Sequence, residues 1–335
     1  MVFLAGCGGS GGTVAPAVNP LTNPDVIVFA SGRAADAAWH FYAMNPDGSG
    51  VTQLPGSLGT SATYIEGVSL NQTGTYFTTT ISALAGSDCY LTRLSDNTSV
   101  SHLRNGSLAA NSNGTQLAFA GVPAASDPYA IYLLNPAGTQ KTQVAPLPAA
   151  DGPVTEITFA PDDKTLYYVT APAFPNSQAG NGILYRLTSG GTPVAIVNNG
   201  IPIASVHTSR DGKRLAFVSS VETADQSSIT FTAYTLNSDG TGLTKGATTT
   251  VIGNPGINGS VPPTGGAVSP LNISMASRAD GFHVLYMNTV NGIEELFDMH
   301  PDGSGLKQIT FNAGGNAIPA SRAAVGSSIR MLGGR

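Results

Sequence analysis

Ser209-Arg210-Asp211-Gly212-Lys213-Arg214-Leu215-Ala216-Phe217-Val218, then Ile229 to Leu236, then Asn237-Ser238-Asp239-Gly240 and Leu243-Thr244, is the stretch from which the architecture is read. A strand entering from Ala204 meets a turn at Asp211-Gly212. An apolar strand follows over Leu215 to Val218, a third ends at Leu236, and a second Asp-Gly turn leads into a short fourth. Glycine at such turns supplies the positive φ that a tight hairpin demands, and the apolar runs between them have the length of buried strands. One unit is therefore a meander of four antiparallel strands.

The same grammar recurs from about residue 25 onward. Second strands read Val26-Ile27-Val28-Phe29, Tyr76-Phe77-Thr78, Leu117-Ala118-Phe119-Ala120, Leu166-Tyr167-Tyr168-Val169, Leu215-Ala216-Phe217-Val218 and Val284-Leu285-Tyr286-Met287. Outer turns fall at Asn45-Pro46-Asp47-Gly48, Ser95-Asp96-Asn97, Asn135-Pro136-Ala137-Gly138, Ser189-Gly190-Gly191, Asn237-Ser238-Asp239-Gly240 and His300-Pro301-Asp302-Gly303. From Gly48 through Asn97, Gly138, Gly191 and Gly240 to Gly303 the intervals are 49, 41, 53, 49 and 63 residues, the last lengthened by a Pro/Gly-rich insertion near Ala247 to Pro270. Four-stranded repeats of roughly 40 to 50 residues are the size of propeller blades.

The expected fold is thus all-β, a six-bladed β-propeller of four-stranded antiparallel blades, with seven blades ranked below. It occupies residues 25–335 as a single domain, after a flexible tether over residues 1–24. Because the amino-terminal unit begins at a second strand, its inner strand should come from the carboxy terminus, closing the ring and removing an exposed edge. Asn316 to Ala323 fits that role, which leaves Ser328 to Leu332 as a surplus second strand or part of an incomplete seventh blade.

Composition excludes several classes of function. The 335 residues carry 15 Lys plus Arg against 20 Asp plus Glu, a net charge of -5, so the basic stripe that nucleic acid requires is missing. Charged residues make up 10% of the chain, where about 25% is usual. The surface must therefore be built mostly of Ser, Thr, Asn, Gln and Gly. No apolar run approaches the roughly 18 residues of a membrane span. Two cysteines make neither a disulfide framework nor a four-ligand zinc site.

The outer hairpins Asn45-Pro46-Asp47-Gly48-Ser49-Gly50-Val51-Thr52-Gln53-Leu54 and His300-Pro301-Asp302-Gly303-Ser304-Gly305-Leu306-Lys307-Gln308-Ile309-Thr310 resemble those of the WD-like repeats of TolB-type β-propellers. The inner turns Ala160-Pro161-Asp162-Asp163-Lys164 and Ser209-Arg210-Asp211-Gly212-Lys213 are similar to that family's Ser-Pro-Asp-Gly-Lys signature. The likeness covers about residues 25 to 330 and is weakest in the second unit, where Leu70-Asn71-Gln72-Thr73-Gly74 keeps mainly the glycine. It implies a six-bladed propeller of the periplasm or cell envelope. TolB itself adds an amino-terminal α/β domain, for which the residues before Asp25 leave no room.

At the amino terminus, Leu4-Ala5-Gly6-Cys7 resembles the lipobox of bacterial lipoproteins, and Gly8-Gly9-Ser10-Gly11-Gly12 begins a linker suited to holding a domain off a membrane. The resemblance implies lipid attachment at Cys7. The alternative is an unstructured end with an incidental cysteine. With Cys7 lipidated, Cys89 packs as a small apolar residue; a Cys7–Cys89 disulfide is the other arrangement.

No catalytic residue, cofactor or metal site is assigned. Gly6, Gly8 and Gly11 match G-x-G-x-x-G, and Gly8 to Gly12 match G-x-S-x-G, but both lie in the tether with no strand or helix to aim them. His40, His102, His207, His283 and His300 lack metal-ligand spacing. The Asp-Gly turns at Asp47, Asp239 and Asp302 lack the further carboxylates of a calcium loop. Trp39 reads as a packing residue of a third strand. One recurrence remains: Ser209-Arg210, Ser277-Arg278 and Ser321-Arg322 each fall where an inner strand enters its first turn. Arg210, Arg278 and Arg322 at one channel mouth would hold the carboxylates of a partner.

These readings describe a non-enzymatic, envelope-anchored scaffold, monomeric, that binds protein or peptide and touches membrane only through its lipid. Secretion is the alternative address. A propeller lyase or hydrolase acting on carbohydrate or another small substrate at the channel is the alternative function. For the lipobox, Cys7→Ser in the full-length chain is expected to move the protein from the membrane fraction to the soluble fraction; unchanged partitioning would dismiss lipid attachment.

Overall fold

The computed structural model describes residues 25–31, 40–57, 64–71, 76–83, 86–93, 99–104, 106–147, 152–170, 182–222, 228–252, 273–290, 293–310 and 330–332. All regular structure among them is β-strand. The amino-terminal unit supplies β1 (Ile27–Ser31), β2 (His40–Met44) and β3 (Thr52–Ser57). Next come β4 (Tyr64–Leu70), β5 (Tyr76–Ala83), β6 (Gly86–Arg93) and β7 (Ser99–Arg104). The following blade holds β8 (Gly106–Ala110), β9 (Leu117–Gly121), β10 (Ala130–Leu134) and β11 (Lys141–Pro146). After it stand β12 (Val154–Phe159), β13 (Thr165–Thr170), β14 (Ile183–Thr188) and β15 (Val194–Val197). Then come β16 (Ala204–Thr208), β17 (Arg214–Glu222), β18 (Ser228–Asn237) and β19 (Thr244–Ile252). The last blade is β20 (Ile273–Arg278), β21 (Gly281–Val290), β22 (Ile293–Met299) and β23 (Lys307–Gln308).

The expected six equivalent four-stranded blades are corrected by this topology. Five blades, β4 to β23, are each built of four consecutive antiparallel strands, whereas the amino-terminal unit has only three strands of its own. Its inner edge is taken by β24 (Arg330–Leu332), three residues long, which pairs Met331 with Phe29 in the sheet order β24-β1-β2-β3. The turn count reached six because the first outer hairpin belongs to this unit of three consecutive strands. The proposed clasp at Asn316 to Ala323 lies outside the described residues, and the pairing instead uses the segment read as surplus.

A cross-strand aromatic pair repeats from unit to unit. Phe29 faces Tyr42, Phe119 faces Tyr132, Tyr168 faces Tyr185, Phe217 faces Tyr234, and Tyr286 faces Phe297 in the strand registers. The rings of Phe217 and Tyr234 stack with centroids 5.0 Å apart, and those of Phe29 and Tyr42 at 5.4 Å. Such pairs each add roughly 0.5–1.5 kcal/mol beyond area burial. In the blade β4–β7 the register sets Thr79 against Tyr90, which is why the repeat there is hard to read. Units then pack face to face: Tyr167 and Val169 share a core with Phe217 and Leu236 of the next blade, and Ala216 and Phe231 with Met275 and Val284 of the one after.

Around the ring, β8, β12, β16 and β20 are neighbours in that order, β5 packs on β8, and β24 lies against both β20 and β4. Where the two ends meet, the outer turn at Gly48 presses on the last blade. Gly48 has φ +84, and a Cβ there would come within 1.8 Å of the Ile309 carbonyl oxygen. Gly190, at φ +74, has open space around it. Gly190→Ala is therefore expected to cost about 1 to 2 kcal/mol of backbone strain, and Gly48→Ala clearly more, because a backbone carbonyl must also move. Equal losses in urea unfolding of the two variants would show that the closure contact carries no weight.

Candidate functional site

The inner turns, between the first and second strands of each blade, form one end of the ring, and side chains lace several of them together. Asn71 Nδ2 donates to the carbonyl oxygens of Asn111 (3.3 Å) and Ser112 (2.9 Å) in the next blade. Ser112 in turn donates its N–H to Asp163 Oδ1 at 2.8 Å and its hydroxyl to Asp163 Oδ2, one blade further on. Asp163 occupies the turn position that is Gly212 in the following blade, and adopts φ 55 to do so. Across the closure, Asp25 Oδ1 accepts from Arg210 at 2.5 Å and from the backbone N–H of Ala279 at 3.0 Å.

Deeper in the ring, the inner strands are tied in the same sense. β12 and β16 each carry a register shift, between Val154 and Glu156 and between Ala204 and Val206. A bulge of this kind re-aims a side chain out of the ladder. Glu156 accepts hydrogen bonds from the backbone of Val206 and Ser205, and Ser205, held at φ 51, accepts the Met275 N–H on its hydroxyl at 2.9 Å. The link thus runs from β12 through β16 to β20. Burial pushes the Glu156 carboxyl up to about 7, only partly offset by those two N–H donors. Burial likewise lowers His207 on β16 to about 4. Both residues are only partly exposed, and protein surrounds them closely enough to disfavour charge.

The three arginines singled out in the sequence are not brought together at one mouth by the described residues. Arg210 is partly exposed and paired with Asp25. Arg278 turns into its own blade, with its side chain 3% exposed, and donates to Asp298 Oδ2 at 2.7 Å. Arg322 lies outside the described residues, as do Cys7 and Trp39. Burial alone would raise the Asp298 carboxyl, but the hydrogen bond from His283 and the charge of Arg278 overcome it and hold the group at about 2. Cys89 is buried, and its Sγ donates to the Gly106 carbonyl oxygen at 2.9 Å.

The Asp-Gly turns use their carboxylates internally. Asp47, Asp239 and Asp302 each accept, on Oδ1, the backbone N–H two residues on at 2.9 Å and that residue's hydroxyl at 2.7 Å. Their pKa values are lowered, first by that hydroxyl. What the sequence reading passed over is the Glu156–Ser205–Met275 link and the buried group Arg278, His283 and Asp298. The available signal was an ionisable residue inside a strand pattern, in a chain where charge is scarce.

No family model and no curated protein matches the sequence. Among solved structures, the chain is similar to TolB from Acinetobacter baumannii at 16% identity and TM-score 0.55, over 83% of this chain and 62% of that one, so it spans about three-fifths of that protein's length. It is similar to a chain of a nidogen/laminin complex at 10% identity and TM-score 0.54, over 92% and 97% of the two chains. An oligogalacturonate lyase with manganese aligns at 14% identity and TM-score 0.47, over 83% and 91%. At these identities the likeness establishes a β-propeller with TolB-type neighbours.

Glu156 and His207 give opposite pH dependences. The Glu156 carboxyl, raised from 4.5 to about 7, stays protonated in the fold while the unfolded chain ionises, so its contribution to stability is lost as pH rises through that interval. His207, lowered from 6.5 to about 4, stays neutral in the fold while the unfolded chain takes up a proton, so its contribution is lost as pH falls through its interval. Each shift is worth on the order of 3 kcal/mol before solvent screening. Urea unfolding from pH 4.5 to 7 should show Glu156→Gln gaining stability as pH rises towards about 6.5, and His207→Gln losing it up to about 7. Parallel profiles for wild type and both variants would contradict the burial of these groups.

Proposed function

We propose that the chain is a non-enzymatic, TolB-like propeller scaffold that binds a protein or peptide partner on the end of the ring carrying the inner turns. Residues 1–24 serve as a tether fixed to the bacterial envelope through lipid on Cys7, and residues 25–335 act as one monomeric propeller domain. The observation that carries this reading is the lacing of that end: Asn71 to Asn111 and Ser112, Ser112 to Asp163, and Arg210 and Ala279 to Asp25. Turns bound to their neighbours lose little further entropy when a partner docks, which favours binding without new contacts having to be strong. The nidogen/laminin neighbour, itself from a protein–protein complex, supports the use of this fold for protein partners.

The enzyme alternative draws on Glu156, whose carboxyl near neutral pH is in the range of a general acid or base. That carboxyl is already engaged by the Ser205 and Val206 N–H groups, which is a structural use, so the scaffold reading stands ahead of it. Of Arg210 and Arg278, only Arg210 is partly exposed, and an acidic partner segment would meet it alongside its bond to Asp25. Arg210→Gln is expected to weaken capture of a partner from envelope extract several-fold, and to cost about 1 kcal/mol of stability or less, as exposed ion pairs do. Should wild type retain no specific protein, or the variant retain it equally, this reading of the inner-turn face fails.

A further inference from the structure

At the same end of the last blade, two turns bring histidines together. His283, on β21, has ring nitrogens facing two carboxylates: Nδ1 lies 2.8 Å from Asp298 Oδ1, and Nε2 lies 2.9 Å from Asp280 Oδ1 in the β20–β21 turn. The imidazole of His300, from the β22–β23 turn, lies over that of His283 with ring centroids 4.5 Å apart. One ligand atom from each of Asp280, His283 and His300 falls within 4.8 Å of the others. We propose that these three residues bind a divalent transition-metal ion of the zinc class.

Three further observations point to a ligand. The first is orientation: Asp298 Oδ1 at 2.8 Å and Arg278 at 3.2 Å hold the Nδ1 side of His283, which leaves Nε2 on the side of Asp280, the carboxylate–histidine arrangement that prepares an imidazole for a metal. The second is charge. Arg278 and Lys307 both lie against Asp298, at 2.7 and 3.4 Å, whereas Asp280 pairs with His283 Nε2. A cation taking the place of that contact would be ligated by the Asp280 carboxylate and by Nε2 together. The third is the departure of His300 from the repeat. At the equivalent position Asn45, Asn135 and Asn237 each use Nδ2 to clip the turn, donating to Ser49, Thr139 and Thr241 hydroxyls at 3.1, 2.9 and 2.9 Å. The His300 turn keeps the backbone bond to Ser304, but its side chain goes to His283 instead, over Gly305, where a Cβ would sit 3.1 Å from the ring.

Two imidazoles and one carboxylate suit zinc, with bonds of about 2.0 to 2.2 Å and a fourth position open to water. Ligand atoms around such an ion lie about 3.3 Å apart. Asp280 is well exposed and can adjust to that spacing, while His283 is held. A bound ion would join the inner and outer turns of a blade whose outer strand, β23, is only two residues long.

The test uses the full chain without a histidine tag, zinc as the probe, and two variants. His300→Asn restores the residue that the other turns tolerate, and Asp280→Ala changes an exposed side chain, so both should fold. Wild type is expected to bind one equivalent of zinc saturably in calorimetry and to melt at higher temperature with zinc than with chelator. Each variant should bind at least ten-fold more weakly and lose the zinc-dependent shift. Absence of saturable binding by wild type, or binding in either variant as tight as in wild type, overturns the site and leaves the cluster as a hydrogen-bonded network. None of these outcomes depends on whether a protein partner binds the inner-turn face.

Discussion

Ile27, Phe29, Tyr42 and Met44 of the amino-terminal sheet share one core with Ala276, Leu285, Leu296 and Ile309 of the last blade. A sheet in a propeller buries both faces, and it can do so only if the first and last units of the chain find each other across about three hundred residues of sequence. Everything else depends on that meeting. The pairing of β24 with β1 is short, so closure rests more on side-chain packing than on the ladder. Gly48 against Ile309 and Asp25 against Ala279 add two polar and steric fixings at the same seam. The cost of closing so long a loop grows only slowly with its length, which is why a modest seam suffices.

The seam also sets the end of the ring on which function is read. Asp25 reaches Arg210 and the Ala279 N–H because the amino-terminal sheet is packed on the last blade. Ala279 belongs to the same turn as Asp280, so the inner-turn face and the histidine cluster lie side by side on the closing blade. Within the ring, the bulges in β12 and β16 serve a related end. The bulge in β16 leaves Ser205 out of the ladder and that in β12 leaves out Thr155 beside Glu156, and Glu156 and Ser205 each reach the inner strand of the next blade. Burying Glu156 disfavours its ionised form, and the two N–H donors recover only part of that cost.

The strands, turns and β-propeller class were legible because they rest on local chemistry: Asp-Gly turns recur, and the aromatic at Phe29, Phe119, Tyr168, Phe217 and Tyr286 recurs with them. That the carboxy terminus closes the first sheet was legible; which of its segments does so was not. It is decided by a pairing between Val28 and Leu332, and nothing in either segment names the other. The arginine recurrence misled for a related reason. Arg210 and Arg278 both follow a serine, but the last blade is shifted by one residue, so Arg278 stands at the register of Ser209 and points to Asp298. Spacing along one strand could not show that β22 carries a carboxylate opposite.

A repeat makes departures from itself informative. The fold needs a hairpin at residues 300–304, and Asn45, Asn135 and Asn237 show that asparagine meets that need by bonding its own turn. Histidine at 300 gives up that bond and gains contact with His283. A buried ion group such as Arg278 with Asp298 is, on average, no more stabilising than well-packed apolar residues of the same volume. In a chain with so few charged residues, their concentration beside one turn of the closing blade is therefore not explained by stability of the ring. Local rules broken without structural gain are where a chemical role should be sought, and in this molecule the lost asparagine is His300 itself and the buried Arg278–Asp298 pair adjoins His283.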